Sequence, residues 1–154
     1  LGIDSDNGSE FINAHLLRYC QQEQLTFTRC RPYKKNDQAH IEQKNWSVVR
    51  RVVGYDRYEA AQALEQLQDL YHILRLYHNF FQPVMKLVGK ERVGARVKKQ
   101  YDEAQTPYQR ILEAETISQT VKDELRNTYL TLNPVSLRRQ LDTTLNSLWN
   151  LAAK

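Results

Sequence analysis

Asp4-Ser5-Asp6-Asn7-Gly8-Ser9-Glu10-Phe11 stands near the start of the chain, and Pro32-Tyr33-Lys34-Lys35-Asn36-Asp37-Gln38-Ala39-His40-Ile41-Glu42 follows it. The first stretch reads as the acidic end of a short strand, residues 1–6, running into an Asn7-Gly8 turn. Ser9 is the expected N-cap of a helix reaching about Gln24, with Phe11, Ala14, Leu17 and Cys20 as its apolar stripe. Leu25-Thr26-Phe27-Thr28-Arg29-Cys30 alternates and is rich in strand formers, so a second strand is expected there, ended by Pro32. The second stretch leads through a polar loop into a helix expected over 38–53, capped by Asn36 or Asp37 and closed by Gly54.

Outward from this region the pattern becomes helical. Residues 57–81 carry two adjacent apolar stripes, Leu64, Leu67, Tyr71, Leu74 and Phe81 beside Leu70, Ile73, Tyr77 and Phe80. A face that wide is buried against more than one neighbour. Beyond Pro83, Val93, Ala95 and Val97 alternate with Arg92, Arg96 and Lys98 around Gly89 and Gly94, which predicts a twisted strand or hairpin. In a single extended strand that alternation places Arg92, Arg96 and Lys98 on one face. Thr106-Pro107 opens a short helix through Leu112, and helices over 118–132 and 135–152 follow, separated by Asn133-Pro134.

Two fifths of the chain is apolar (41%) and a quarter charged (26%), which excludes wholesale disorder. No run is long and apolar enough for a membrane span, and the first residues do not read as a signal peptide. Cys20 and Cys30 cannot build a disulfide framework or a four-ligand zinc site, so both are expected as buried free thiols in a reducing setting. His72 and His78 are six apart on a helix and so are poor co-ligands. No Gly-rich phosphate loop or nucleophile elbow is present. The net charge of +4 is concentrated: residues 85–101 hold Lys86, Lys90, Arg92, Arg96, Lys98 and Lys99 against Glu91. From charge alone this stretch is either a phosphate-binding footprint or a solvated ribbon.

The chemistry centres on two carboxylates. Asp6 and Glu42 have 35 residues between them, one expected at a strand end and the other in a helix. Transfer of a phosphodiester needs an activated hydroxyl and a stabilised leaving oxygen, and two divalent ions about 4 Å apart serve both. Magnesium takes oxygen ligands, which carboxylates on rigid elements supply. At about 100° per residue, Ile41, Val48, Val49 and Val52 form the apolar face of the 38–53 helix, with Glu42 at its margin beside Gln38, Asn45 and Trp46. Asp4 shares a strand face with Asp6, but the turn directly after Asp6 favours Asp6 as ligand and Asp4 as a structural group. Asp37 reads as a helix cap.

Asp-Asn-Gly-Ser-x-Phe, a Glu opening a helix with 35 residues between it and the Asp, and Pro-Tyr ten and nine residues before that Glu resemble the D-D-35-E core of retroviral integrases and bacterial insertion-sequence transposases. The resemblance covers about residues 1–81. A softer likeness to the tail of such transposases runs from Lys86 to Leu112, through Thr106-Pro107-Tyr108. It implies an α/β fold, the C-terminal part of an RNase H-like one: residues 1–82 as the end of the catalytic core, with strands equivalent to its fourth and fifth, then 83–154 as a basic ribbon and helical tail. It implies Asp6 and Glu42 as catalytic metal ligands for two Mg²⁺ ions, with Mn²⁺ a substitute. By the resemblance Tyr33, Gln38 and Asn45 are expected to touch DNA beside the metals, and by their charge Lys86, Lys90, Arg92, Arg96, Lys98 and Lys99 are the candidate DNA-binding ribbon. The implied partners are transposon ends, target DNA and further copies of the protein, at a bacterial nucleoid in the cytoplasm. The family's first catalytic Asp has no counterpart in the chain, so residues 1–154 alone are expected to be inactive. Two other functions fit the same residues, an inactive nucleic-acid-binding remnant and a purely hydrolytic nuclease of this fold.

Overall fold

A computed structural model describes residues 2–5, 13–31, 42–43 and 45–153 of the chain. Strand β1 (Gly2–Ser5) and strand β2 (Thr26–Arg29) are parallel neighbours, in register from Gly2↔Thr26 to Ser5↔Arg29. Parallel strands cannot be joined by a tight turn, and the crossover between these two carries helix α1 (Ala14–Gln22). The expected α/β character is therefore present.

Helix α1 is capped at Asn13, whose side-chain oxygen accepts from the Leu16 peptide N–H at 2.8 Å. This corrects the cap expected at Ser9, which lies outside the described residues. Asn is as good a cap as Ser, and the described helix starts directly after one. At the other end Gln24 takes a left-handed conformation (φ +52°). The Leu25 N–H then donates to the Cys20 carbonyl at 2.8 Å and the Gln24 N–H to the Gln21 carbonyl at 3.4 Å. These are the two bonds of a Schellman motif, with glutamine in the place glycine usually takes. Cys20 and Cys30 are buried, as expected, and Ser5 is buried with them.

The helix expected over 38–53 is not a uniform α-helix. Glu42 and Gln43 are helical, Asn45–Arg50 is π-helical, and a short α2 (Arg51–Val53) ends on Gly54 at φ +89°. A π-helix bonds i to i+5 and so has a wider turn. The α-helical phase that set Asn45 and Trp46 beside Glu42 does not carry through this segment.

The chain divides into two compact units, residues 1–56 and 57–154. The boundary at 82/83 drawn from the family resemblance rests on a different criterion. By contacts, the long helix α3 (Ala61–Phe81) groups with the hairpin and helices C-terminal to it. The second unit continues with β3 (Leu87–Val93), β4 (Arg96–Tyr101), α4 (Pro107–Glu113), α5 (Gln119–Thr131) and α6 (Pro134–Trp149). Helix α3 packs mainly on α6 and also on α4. Ala63, Leu70 and Leu74 of α3 and Leu137, Leu141 and Leu148 of α6 are buried, at spacings of seven and four that keep one stripe on each helix. Burying each such leucine contributes about 1.5–3 kcal/mol. The Ala153 N–H donates to the Arg57 carbonyl at 2.8 Å, tying the end of α6 to the chain before α3, so the two helices are antiparallel. With that carbonyl engaged, α3 begins at Ala61, after the expected Arg57. Its broad apolar face is covered in part: Leu70, Leu74 and Phe80 are buried, whereas Leu64 is 60% exposed.

Side-chain caps open α4 and α6 where the sequence places their starts, whereas α6 ends at Trp149, before the expected residue 152. Thr106 and Gln109 form a reciprocal capping box with Pro107 in the first turn of α4. The Asn133 side chain accepts from the Val135 and Ser136 N–H groups ahead of α6. Phe80 and Phe81 at the end of α3, Tyr108 of α4 and Tyr129 of α5 form an aromatic cluster, with the Tyr108 and Tyr129 rings stacked at 4.9 Å. Among the described residues no helix is long and apolar enough to cross a membrane.

Candidate functional site

The expected carboxylate pair is described in one member. Glu42 is helical and exposed, while Asp6, like Tyr33 and Gln38, lies outside the described residues. Asp6 directly follows Ser5, the last residue of β1. Asp4 is in β1 itself, where its Oδ1 accepts from Thr28 Oγ1 of β2 at 2.9 Å. That cross-strand bond agrees with a structural part for Asp4. Among the described residues no group of three or more His, Cys, Asp or Glu side chains is placed to share a metal ion.

Asn45 is exposed at the start of the π-helical segment. Two arginines to which the sequence assigned no role are stacked on aromatic rings here. The Arg51 guanidinium lies 5.2 Å from the Trp46 ring centroid, and that of Arg50 lies 4.8 Å from Tyr55. Both pairs are five residues apart. An α-helix brings residues three and four apart together, so the Trp46–Arg51 spacing carries no signal until the π turn is known, and Tyr55 meets Arg50 from beyond the helix end at Gly54. Each exposed cation–π contact contributes about 0.5–1 kcal/mol.

The basic stretch forms an antiparallel hairpin. Strands β3 and β4 pair as Val93↔Arg96, Arg92↔Val97, Glu91↔Lys98, Lys90↔Lys99 and Gly89↔Gln100, with a bulge before Leu87↔Tyr101. Gly94-Ala95 is a two-residue loop with positive φ (+62°) at Gly94 alone, the pattern of a type II′ turn. This register corrects the single-face reading of Arg92, Arg96 and Lys98. Paired residues share a face, and across a two-residue loop an even-numbered residue pairs with an odd-numbered one. Arg92 therefore lies with Val97, Lys90 and Lys99, opposite the face of Arg96 and Lys98. Lys86 precedes β3 and is part of the hairpin root.

That root is held from α4. Arg110 Nη1 donates to Asp102 Oδ2 at 2.7 Å, and Nη2 donates to the carbonyls of Val84 at 2.9 Å and Glu103 at 3.3 Å. The Lys86 peptide N–H donates to Asp102 Oδ1, and the Asp102 N–H donates back to the Lys86 carbonyl at 3.0 Å. Below them Val84 and Gln105 exchange backbone bonds at 2.9 and 3.3 Å. Arg110, and then the Lys86 N–H, hold the Asp102 carboxyl below its ordinary value. The buried Arg110 Nε has no hydrogen-bond partner among the described residues.

No protein-family model matches the chain. No solved structure matches it. An uncharacterized protein, y4rM, of Sinorhizobium fredii (strain NBRC 101917 / NGR234) is 51% identical over 100 residues, a stretch that is 65% of this chain and 29% of that protein. The chain thus spans under a third of the length of the curated relative it matches.

Proposed function

We propose that the chain is the C-terminal part of an RNase H-like integrase core and its tail, from a D-D-E transposase or integrase that cuts and joins DNA. One observation carries the reading: Asp6 directly follows the C-terminal residue of a strand parallel to its neighbour, and Glu42 is helical, with 35 residues between the two. In parallel α/β sheets the crevice beyond the carboxyl ends of the strands is where ligands bind. Asp6 and Glu42 offer two hard oxygen donors of the kind Mg²⁺ or Mn²⁺ takes. A pair of such ions supplies charge that activates the attacking hydroxyl and stabilises the leaving oxygen.

The other residues position substrate. Tyr33, Gln38 and Asn45 are assigned to the DNA end beside the carboxylates, and the basic hairpin to the flanking duplex. The partners are transposon ends, target DNA and a second copy of the protein, at the bacterial nucleoid. In the protein carrying the complete catalytic region, Asp6→Asn or Glu42→Gln removes one charged ligand at nearly constant shape. Each should abolish Mg²⁺-dependent cleavage and strand transfer while DNA binding persists. Near-normal strand transfer by either variant ends this reading.

A second reading is favoured by the exposed cationic hairpin, namely a nucleic-acid-binding protein without strand-transfer activity. It is distinguished by full-length protein that binds DNA but neither nicks nor joins it with Mg²⁺ or Mn²⁺. Nicked products without joined ones point instead to a hydrolytic nuclease.

A further inference from the structure

We infer that one face of the β3–β4 hairpin, bearing Lys90, Arg92 and Lys99, is a track for the phosphate backbone of duplex DNA, and that the opposite face is not. The inference deepens the DNA-handling function proposed above and rests on it for the identity of the polyanion. Its basis is the pairing register. Lys90 stands directly opposite Lys99, and Arg92 lies on the same face. Like charges directly opposite destabilise a strand pair, and no acid of the hairpin shares this face. Among the described residues none of the three cations makes an ion pair. On the other face the hairpin's one acid, Glu91, stands opposite Lys98, leaving Arg96 as the surplus charge.

The hairpin thus places its acid where it offsets one face and leaves three positive charges uncompensated on the other. A local conflict of this kind, kept without an intramolecular partner, is typical of a surface whose counter-charge arrives with a ligand. Val97 and Tyr101, each about half exposed (52% and 51%), lie on the same face as the three cations. Cations spaced along a strand with apolar atoms between them suit a repeating phosphate and sugar backbone. Nothing on this face reads base edges, so the contact positions duplex without choosing sequence. The Arg110–Asp102 lock at the root fixes the hairpin on α4, so the face is formed before DNA arrives.

The test compares two charge-matched double variants of the full-length protein, Lys90→Gln/Lys99→Gln and Arg96→Gln/Lys98→Gln. Each loses two positive charges. Binding to a random-sequence duplex is read by anisotropy at several salt concentrations, with circular dichroism and hairpin amide exchange confirming the fold. The first variant should lower the slope of log affinity against log salt by about 2, near 0.9 for each lost phosphate contact. The second should leave it nearly unchanged. Equal losses in both variants, a larger loss in the second, or no loss in either would each overturn the inference. Competition by poly-glutamate as effective as by duplex would overturn it too, by showing a site for acidic protein. The carboxylate test is independent, because it reads bond cleavage. A slope that splits by face with strand transfer indifferent to Asp6 sinks the function and leaves the track standing. The converse result sinks the track alone.

Discussion

One guanidinium, that of Arg110, bonds both sides of the hairpin root: Nη1 reaches Asp102 Oδ2 at 2.7 Å and Nη2 reaches the Val84 carbonyl at 2.9 Å. Both strands of the hairpin are exposed on both faces, and a two-stranded ribbon alone is at best marginally stable in water. Its order therefore depends on the bridge at Val84 and Gln105 and on this arginine. Arg110→Ala should raise hydrogen exchange of the Lys90–Lys99 amides by roughly tenfold or more, as expected when charge-assisted bonds are lost. The α3 and α6 amides should be unaffected. Arg110→Lys should not rescue, because a single ammonium cannot reproduce the fork that spans Asp102 and two carbonyls. Unchanged hairpin protection in Arg110→Ala would show that the backbone bridge suffices.

The same pair sets an acid limit. Hydrogen bonding to Arg110, then to the Lys86 N–H, lowers the Asp102 pKa from its ordinary 3.8. A carboxyl depressed in the folded state contributes stability that is fully present above the unfolded pKa and is lost as pH falls through the folded one. Hairpin protection should thus be constant from neutral pH to about pH 5 and decline below 3.8. In Asp102→Asn the protection should be lower at neutral pH and flat through this window. A wild-type profile that falls between pH 7 and pH 5 would implicate another group.

Local chemistry is what the sequence displayed. Thr106-Pro107, Asn133-Pro134 and Gly54 fix helix ends through bonds within one turn, and all three act where they were read. The two strands flanking α1 were legible from residue type and alternation, although their parallel pairing depends on the crossover. Three features were not legible, each for a physical reason. The π-helical turn over Asn45–Arg50 has no composition of its own, so the Trp46–Arg51 contact was invisible. Counting alternation through Gly94-Ala95 as one strand assigned Arg92 to the wrong face, because a two-residue loop reverses the parity. Arg110 and Asp102 meet across a coil-to-helix junction, where eight residues of separation have no fixed geometry.

The left-handed Gln24 offers a stability test in the first unit. A non-glycine residue in that conformation costs about 1–2 kcal/mol, and glycine's greater freedom in the unfolded chain returns part of the difference. Gln24→Gly should therefore stabilise the first unit by about 0.5–1 kcal/mol. The chain's two tryptophans fall one in each unit, Trp46 and Trp149. In a Trp149→Phe background, the urea transition followed by Trp46 fluorescence reports on the first unit. A destabilised Gln24→Gly would mean that the glutamine side chain makes a contact worth more than the backbone relief.

In the second unit the antiparallel α3–α6 pair should carry most of the stability. Leu70 and Leu148 are fully buried, whereas Leu64 on the same α3 helix is 60% exposed. Leu70→Ala or Leu148→Ala should cost about 2–5 kcal/mol, the sum of lost transfer energy and the cavity left behind. Leu64→Ala should stay within about 0.5 kcal/mol. Denaturation followed by Trp149 fluorescence in a Trp46→Phe background separates the outcomes. A Leu64→Ala as damaging as Leu70→Ala would show that the outer face of α3 is covered in solution.

The last test separates two acids that stand two positions apart. Asp4 Oδ1 accepts from Thr28 Oγ1 at 2.9 Å, a bond joining β1 to β2 in a region where backbone pairing is only four residues long. Asp6 comes after the last residue of β1 and is the proposed metal ligand. The two acids should therefore fail in different ways. Asp4→Asn keeps an oxygen able to accept the Thr28 hydroxyl, so full-length protein should retain strand transfer within a few-fold and unfold at nearly the same urea concentration. Asp4→Ala and Thr28→Val each remove that bond. Each should lower stability by about 0.5–1.5 kcal/mol, and the double variant should cost less than the sum, because both act on one bond. Asp6→Asn should show the reverse behaviour, with little change in the unfolding transition and complete loss of Mg²⁺-dependent strand transfer. If Asp4→Asn were inactive and Asp6→Asn active, the ligand would be Asp4, 37 residues would lie between it and Glu42 in place of 35, and the spacing on which the proposed function rests would be lost.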